Sequence, residues 1–309
     1  MDTTVITPKQ SALYVVATPI GNMSDLSPRA RDVLRDVRLV AAEDTRHTGT
    51  LLRQIGSDAQ LVSAHSHNER SRIDDLLAVL RAGEACALVS DAGTPAVSDP
   101  GARLVALVRA AGFPVIPIPG PSSVVTLLSA AGIDADRFGP AADRFHFEGF
   151  LPTRRKRLQE LARIQAVVVL MEAPHRIEAC LQDLTAAFGP ARTVVIGREL
   201  TKRFEQIVSL PTADAPAWLA SDSNHGRGEF VLAVAPVPVD DSRRDADADD
   251  AEAVGLDDPL TLETSARALM TALVAELPPA RAAKLARKLT GLKQETLYAA
   301  ALELRPPRD

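Results

Sequence analysis

The chain has few aromatic side chains: one tryptophan, two tyrosines and eight phenylalanines in 309 residues. Apolar residues still make up 46%, so the core must be built from Val, Leu, Ile and Ala. Its two cysteines, Cys86 and Cys180, lie far apart inside apolar stretches. That argues against a disulfide framework and for buried thiols in a reducing compartment. No apolar run reaches the ~18–20 residues that cross a bilayer. The N-terminal MDTTVITPKQSALYVVA lacks the basic start and long apolar stretch of a secretory signal. A cytoplasmic protein without a membrane partner is therefore expected. No G-x-G-x-x-G opens the first helix, and neither G-x-x-x-x-G-K-[ST] nor G-x-S-x-G occurs. The usual dinucleotide enzymes, nucleoside triphosphatases and serine hydrolases are thereby disfavoured. No metal-ligand spacing is present, and no metal site is expected.

Net charge is −5, but it is concentrated. Residues 238–258 hold nine acids and two arginines, whereas 259–309 hold eight Lys/Arg against five Asp/Glu. An acidic total that comes from one segment does not exclude a nucleic-acid partner. The acidic segment has no apolar face and reads as a solvated linker over 238–258. Before it, two α/β domains are expected, at 1–135 and 136–237; after it, a helical module spans 259–309.

The first domain alternates short apolar runs with helical patterns. The runs are Leu13–Ala17, Leu39–Ala42, Leu61–Ala64, Cys86–Val89 and Val115–Ile118. Ser27-Pro28 offers an N-cap and an N1 proline. Such alternation predicts a largely parallel sheet covered on both faces. Polar, Gly/Pro-rich stretches follow every run, at 18–22, 43–46, 65–69, 90–101 and 119–123. They should cluster at one sheet edge, where open α/β folds bind ligands. The stretch Ser90-Asp91-Ala92-Gly93-Thr94-Pro95-Ala96-Val97-Ser98-Asp99-Pro100-Gly101 is far longer than a plain connection needs. Its prolines remove donors and its glycines allow close approach, so it should present carbonyls to a cationic or donor-rich ligand.

Residues 140–237 predict strands at 145–150, 166–171, 193–196, 206–210 and 228–234, with helices near 154–164 and 175–187, forming a mixed sheet. In the C-terminal module, helices at 264–276, 279–289 and 293–302 surround a Thr290-Gly291-Leu292 turn, a helix-turn-helix pattern. Arg281, Lys284 and Lys288 share one face there, as a nucleic-acid contact or simply a solvated face.

The ordered set Val16–Asn22, Ala42–Arg46, Ser90–Pro95, Ser98–Gly101, Pro119–Ser122, Met171–Arg176 and Gly197–Lys202 resembles the tetrapyrrole-methylase superfamily. Within it, the chain is similar to the branch that methylates small-subunit ribosomal RNA. The resemblance covers about residues 12–236. It implies two α/β domains with S-adenosylmethionine in the cleft between them, a C-terminal helical module and a homodimer. It further implies 2′-O-methylation of a cytidine ribose at the decoding centre of 16S rRNA, as free RNA or in the small ribosomal subunit. By motif, the cofactor should touch Pro19, the backbone of Ala92, Gly93 and Thr94, then Val97, Ser122, Ser123, Met171 and Leu200. The superfamily often has Gly-Asp-Pro where this chain has Gly93-Thr94-Pro95. That favours the RNA branch over a porphyrinoid C-methyltransferase and leaves the role of Thr94 open. A non-catalytic RNA-binding or ribosome-assembly protein is the further alternative.

A ribose hydroxyl needs its proton removed or its oxygen oriented. The candidates in the polar loops are Glu43, Asp44, His65, His67, Glu172, Glu199 and Lys202. Asp44 can equally cap the helix from Thr45, Glu172 and His175 can form a helix-start pair, and the histidines can be loop structure. Arg46, Arg176, Arg198 and Arg203 suit phosphate contacts or neighbouring carboxylates. The basic run Arg154-Arg155-Lys156-Arg157 opens a helix against its dipole, which suggests contact with the RNA backbone.

Overall fold

The computed structural model describes residues 11–64, 69–150, 154–239, 264–290 and 292–304. The chain divides into two compact units, at the 239/240 boundary.

The first unit holds two five-stranded sheets. In the first sheet, β1 (Leu13–Val16), β2 (Leu39–Ala42), β3 (Gln60–Ser63), β4 (Cys86–Val89) and β5 (Val115–Ile118) take the order β3-β2-β4-β1-β5. Every pairing is parallel. Side-chain alternation assigns the two faces. Tyr14, Val16, Val40, Ala42, Ala87 and Val89 join one buried cluster. Leu13, Leu39, Ala41, Cys86 and Leu88 join the other. Helices α1 (Pro28–Asp36) and α2 (Thr45–Ile55) contribute to the first cluster, and α3 (Glu69–Arg81) and α4 (Ala102–Ala110) to the second. This division follows from chain direction: the chain leaves β1 and β2 toward one edge, β3 and β4 toward the other, and right-handed crossovers then land on opposite faces. The α1 cap forms as expected, with Ser27 Oγ accepting from Ala30 N at 3.1 Å and Pro28 at N1.

The second sheet contains β6 (Phe145–Phe150), β7 (Val167–Glu172), β8 (Thr193–Arg198), β9 (Gln206–Pro211) and β10 (Phe230–Val234), in the order β6-β7-β10-β8-β9. Here β6 and β7 are parallel, and β10 and β9 make it mixed. Val168, Leu170, Val194, Ile196, Leu232 and Val234 face α7 (Arg154–Leu161), α8 (Ile177–Phe188) and α9 (Ala215–Ala220).

The opposite face of this sheet is covered by α5 (Ser123–Ala130), the helix that follows β5 of the first sheet. Val124, Leu127 and Ala131 pack with Ile20 against Val167, Val169, Val195, Val231 and Ala233. Gly197 permits this approach, since a Cβ there would lie 2.7 Å from Leu127 Cδ1. A short helix, α6 (Ala135–Phe138), then leads to β6. The sequence reading had not placed α5, α6 or α9. All three are short, at eight, four and six residues, too few turns for a helical pattern to stand out.

The second unit contains α10 (Thr264–Glu276), α11 (Pro279–Thr290) and α12 (Gln294–Glu303). Ala282, Ala283 and Ala286 of α11 are buried against Met270, Leu297 and Ala301. Arg281, Lys284 and Lys288 are exposed on the other side of α11. Among the described residues, no helix is long and apolar enough to cross a membrane, and no group of three His, Cys, Asp or Glu is placed to hold a metal ion. The acidic stretch over 240–258, His65 and His67, and Gly291 of the expected turn lie outside the described residues.

Candidate active site

The parallel first sheet sends the loops after β1, β2, β4 and β5 out of one edge. Neighbouring strands β1 and β4 send their chain in opposite directions, which opens a crevice above that pair. The crevice is stitched by backbone: Thr18 N donates to Gly93 O at 2.9 Å and Gly93 N to Thr18 O at 3.0 Å. Thr18 Oγ1 donates to Ser90 O at 3.2 Å, and Thr94 Oγ1 to Pro121 O at 3.1 Å. The carbonyls expected to face a ligand thus first tie three loops together, and Thr94, whose role the sequence left open, is one of the ties.

The length of the loop from 90 to 101 is explained by its path. Gly93, Ala96, Ser98 and Gly101 all adopt positive φ, at 79°, 66°, 63° and 125°. At Gly101 a Cβ would lie 2.7 Å from Leu88 Cδ2, so the glycine lets α4 start directly over β4. The loop also reaches the second sheet, where Gly149 of β6 makes room for Ser98. A non-glycine residue held left-handed costs of order 1–3 kcal/mol, strain that gathers at functional sites.

A cleft of about 550 Å³ opens here. Pro19, Ile20 and Gly21 wall it from the β1 loop, Asp91 and Ala92 from the β4 loop, and His47 and Thr50 from α2. Its remaining wall comes from the other sheet: Lys202 and Glu229. A Cβ on Gly21 would collide with the Lys202 side chain and lie 2.9 Å from Thr201 Oγ1, so the two motifs meet in van der Waals contact. Lys202 Nζ donates to Glu199 Oε1 at 2.9 Å and to Glu229 Oε2 at 3.0 Å. Burial lowers the Lys202 pKa, but the two carboxylates outweigh it and the net direction is upward. The ammonium therefore persists at neutral pH. Glu199, at φ 50°, also accepts from Glu229 N at 3.0 Å and packs over Gly228. Burial pushes the Glu199 pKa up, yet its hydrogen bonds, first that from Lys202, bring it below the ordinary value.

The other residues expected around the cofactor are dispersed. Gly93 and Thr94 adjoin the cleft through the ties already described. Ser122 and Ser123 start α5. Met171 and Leu200 pack in the cluster under α5, and Val97 is exposed.

Glu43 and Asp44 end β2. Asp44 caps α2 by accepting from Arg46 N at 2.8 Å, and it forks with the Arg46 guanidinium, Nη2 to Oδ2 at 2.7 Å. That side-chain hydrogen bond holds the Asp44 carboxyl well below its usual range. Asp44 N also donates to Asp91 Oδ1 at 2.9 Å, which joins the β2 and β4 loops. Glu43 is shifted the other way: burial, then Asp91 and Asp99, raise its pKa.

Glu172 and Arg176 lie apart from the cleft residues. Glu172 belongs to the face of β7 opposite Met171, where it is buried and pairs with Arg176 Nε at 3.1 Å. Arg198 is buried too, donating to Arg227 O at 2.7 Å and Gln206 Oε1 at 2.9 Å. Arg157 is committed to Glu148, Nε to Oε1 at 2.6 Å and Nη2 to Oε2 at 2.8 Å, and to Glu160 at 2.8 Å. Lys156 is exposed; the side chains of Arg154 and Arg155 lie outside the described residues. His47, on the cleft wall, was missed by the sequence reading, because it sits in the first turn of α2 rather than in a Gly/Pro-rich loop.

The fold and the crevice define a methylase class. The family model for tetrapyrrole (corrin/porphyrin) methylases matches residues 12–216, and the RsmI C-terminal HTH domain matches 261–305. The structure is similar to uroporphyrin-III-C-methyltransferase from Thermus thermophilus (TM-score 0.52, 22% identity, 73% of this chain and 94% of that one). It is also similar to cobalt precorrin-4 methyltransferase (TM-score 0.53, 18% identity, 72% and 94%). These likenesses describe the fold. Much greater similarity in sequence is found to ribosomal RNA small subunit methyltransferase I of Pseudomonas aeruginosa, 44% identical over 94% of this chain and 96% of that protein. The Escherichia coli O157:H7 protein of the same name is 43% identical over 95% and 96%. The chain belongs to the tetrapyrrole methylases and, within them, to the ribosomal RNA small subunit methyltransferase I family.

Proposed function

We propose that this protein is a cytoplasmic enzyme that transfers a methyl group from S-adenosylmethionine to the 2′-hydroxyl of a cytidine ribose at the decoding centre of small-subunit ribosomal RNA. The observation that carries the reading is the cleft at the β1/β4 crevice, closed from the second sheet by a lysine that stays charged. Family membership supplies the rRNA substrate class. The cleft fits the cofactor: its volume is in the usual range for small ligands, about 300–1,000 Å³. Its wall sets Asp91 and Glu229 against Lys202, so it has no excess of positive charge to repel a sulfonium. Pro19 and Ala92 would line it, with Gly93 and Thr94 tying its loops and Leu200 O close to Gly21; Val97, Ser122, Ser123 and Met171 would have to be reached by a ligand extending beyond it.

When bound, S-adenosylmethionine supplies an electrophilic methyl group on a cationic sulfur. The protein's part is to prepare the ribose oxygen. Lys202, protonated and fixed between Glu199 and Glu229, orients that oxygen and stabilises the negative charge it gains as the proton leaves. Glu43, which adjoins Asp91 of the cleft wall, is the carboxylate placed to accept the proton, and burial with Asp91 and Asp99 raises its pKa. Asp44 and Glu172 have positioning work instead, as cap and as partner of Arg176.

The test is tritiated methyl transfer to small subunits from cells lacking this protein, followed by nucleoside mapping. Label on a cytidine ribose is expected. Cofactor binding without label would overturn the substrate reading, and precorrins would then be assayed.

A further inference from the structure

Beyond Lys202, the chain runs directly into a second cleft, of about 610 Å³. It is lined by Arg203, Phe204, Gln206, Asn224, His225 and Arg227, among others. Phe204 is 63% exposed. The loop that carries it is held at several points. Lys202 N donates to Glu199 O at 3.0 Å, Glu205 N to Lys202 O at 3.1 Å, and Thr201 N to Glu205 Oε2 at 2.6 Å. Thr201 holds φ 64°. Buried Arg198 fixes both sides of the cleft at once, donating to Phe204 O at 3.2 Å and Arg227 O at 2.7 Å. His225, stacked on Trp218 at 4.3 Å, is held by Trp218 O and Gln206.

The charges of this cleft are unequal in their freedom. Its carboxylates are engaged inside the protein: Glu199 by Lys202, Glu205 by Thr201 N, and Asp222 by Asn224 N at 2.8 Å. Arg203 and Arg227 are exposed, and among the described residues neither forms an ion pair. The Arg203 guanidinium lies over the Phe204 ring at 5.5 Å. Arg227 Nη1 makes one long hydrogen bond, to Asn224 Oδ1 at 3.4 Å. An exposed ring beside two guanidinium groups outside any ion pair is the chemistry of single-stranded nucleic-acid binding: bases stack on the ring and phosphates meet the forks.

We propose that this cleft holds the single-stranded RNA flanking the target nucleotide, with a neighbouring base stacked on Phe204 and its phosphates on Arg203 and Arg227. The proposal rests on the rRNA-methyltransferase reading. Lys202 then marks the junction: its Nζ closes the reaction cleft, and the next two residues receive the strand.

Two variants test it in the full-length protein, Phe204→Ala and the double change Arg203→Ala with Arg227→Ala, with Phe204→Trp as the conservative control. The measurements are kcat and KM for methyl transfer to unmodified small subunits, affinity for a fluorescent oligocytidylate at several salt concentrations, and affinity for S-adenosylhomocysteine. Loss of one stacked base lowers oligonucleotide affinity about 5- to 150-fold, and KM for the subunit should rise while cofactor affinity stays within about twofold. Phe204→Trp should retain binding. The double variant should flatten the salt dependence of log K by about 1.4, at roughly 0.7 per phosphate contact on a single strand. Variants that methylate subunits and bind the oligonucleotide like the parent would overturn this subsite alone. A parent protein that binds S-adenosylhomocysteine but neither binds nor methylates RNA would overturn the functional reading, and the subsite with it.

Discussion

The two sheets of the first unit contribute to function in different ways. In the parallel sheet, every loop after a strand emerges at the same edge, so sequence order alone gathers 18–22, 43–46 and 90–101 into one place. In the mixed sheet, β8 and β9 form a hairpin and β10 runs against both its neighbours, so loops distant in sequence meet at one end: 199–205 and 222–229. The first sheet makes a crevice whose shape is set by backbone ties. The second closes it with a side chain, Lys202, and extends it with charged and aromatic groups. A ligand recognised by close backbone approach suits the former, and a polyanion suits the latter.

Replacing Lys202 probes the junction most strongly. Lys202→Ala should lower kcat by about 10²–10³, the usual cost of removing one preorganised stabilising group, while S-adenosylhomocysteine affinity changes little. Equal loss of both would make Lys202 part of the cofactor site instead.

The next largest effect concerns the α5 contact that joins the sheets. Leu127 is fully buried there, and Leu127→Ala should cost about 2–5 kcal/mol. Thermal unfolding that still shows a single transition would mean the sheets unfold together; two separated transitions would mean that α5 is their main coupling.

Gly101→Ala acts first on the first sheet, where its loop meets β4. It forces a Cβ against Leu88 in a left-handed backbone, an overpacking and strain penalty of about 1–3 kcal/mol. Urea denaturation should show this as a lower midpoint at unchanged m.

The smallest expected effect belongs to the edge of the second sheet. Hydrogen bonds from Arg157, above all, lower the Glu148 pKa from 4.5 to about 2. A depressed folded-state pKa stabilises at pH values above 4.5, and that stabilisation fades as pH falls from there toward 2. Glu148→Gln should therefore flatten the acid side of the stability profile over that window. An identical profile would show that the Arg157 fork contributes nothing measurable and leaves Arg157 available for RNA.

Much of this was legible in the chain. Apolar runs of four residues separated by helical patterns were enough for a parallel sheet, and Ser27 and Asp44 cap the helices their positions suggested. The helices of the C-terminal unit were readable from their prolines and periodicity. Glu172 and Arg198 were not readable in the same way: β-strand parity places both on the face turned toward α8, and only the register of β7 and β8 reveals it. Arg157 looked like part of a basic run because nothing local announces its fork with Glu148 across nine residues.

The sequence by itself determined the local chemistry: caps, turns, alternation and the parallel character of the first sheet, all governed by contacts between near neighbours and by the handedness of L-residues, whereas the order β3-β2-β4-β1-β5 is set by pairings such as Leu13 with Cys86. Tertiary structure decided which charges are spent and which are free, because an arginine's partner is whatever carboxylate or carbonyl folding brings within reach. It sent α5 to the second sheet, set Lys202 beside Gly21 from about 180 residues away, and left Arg203 and Arg227 without ion pairs among the described residues, beside an exposed ring.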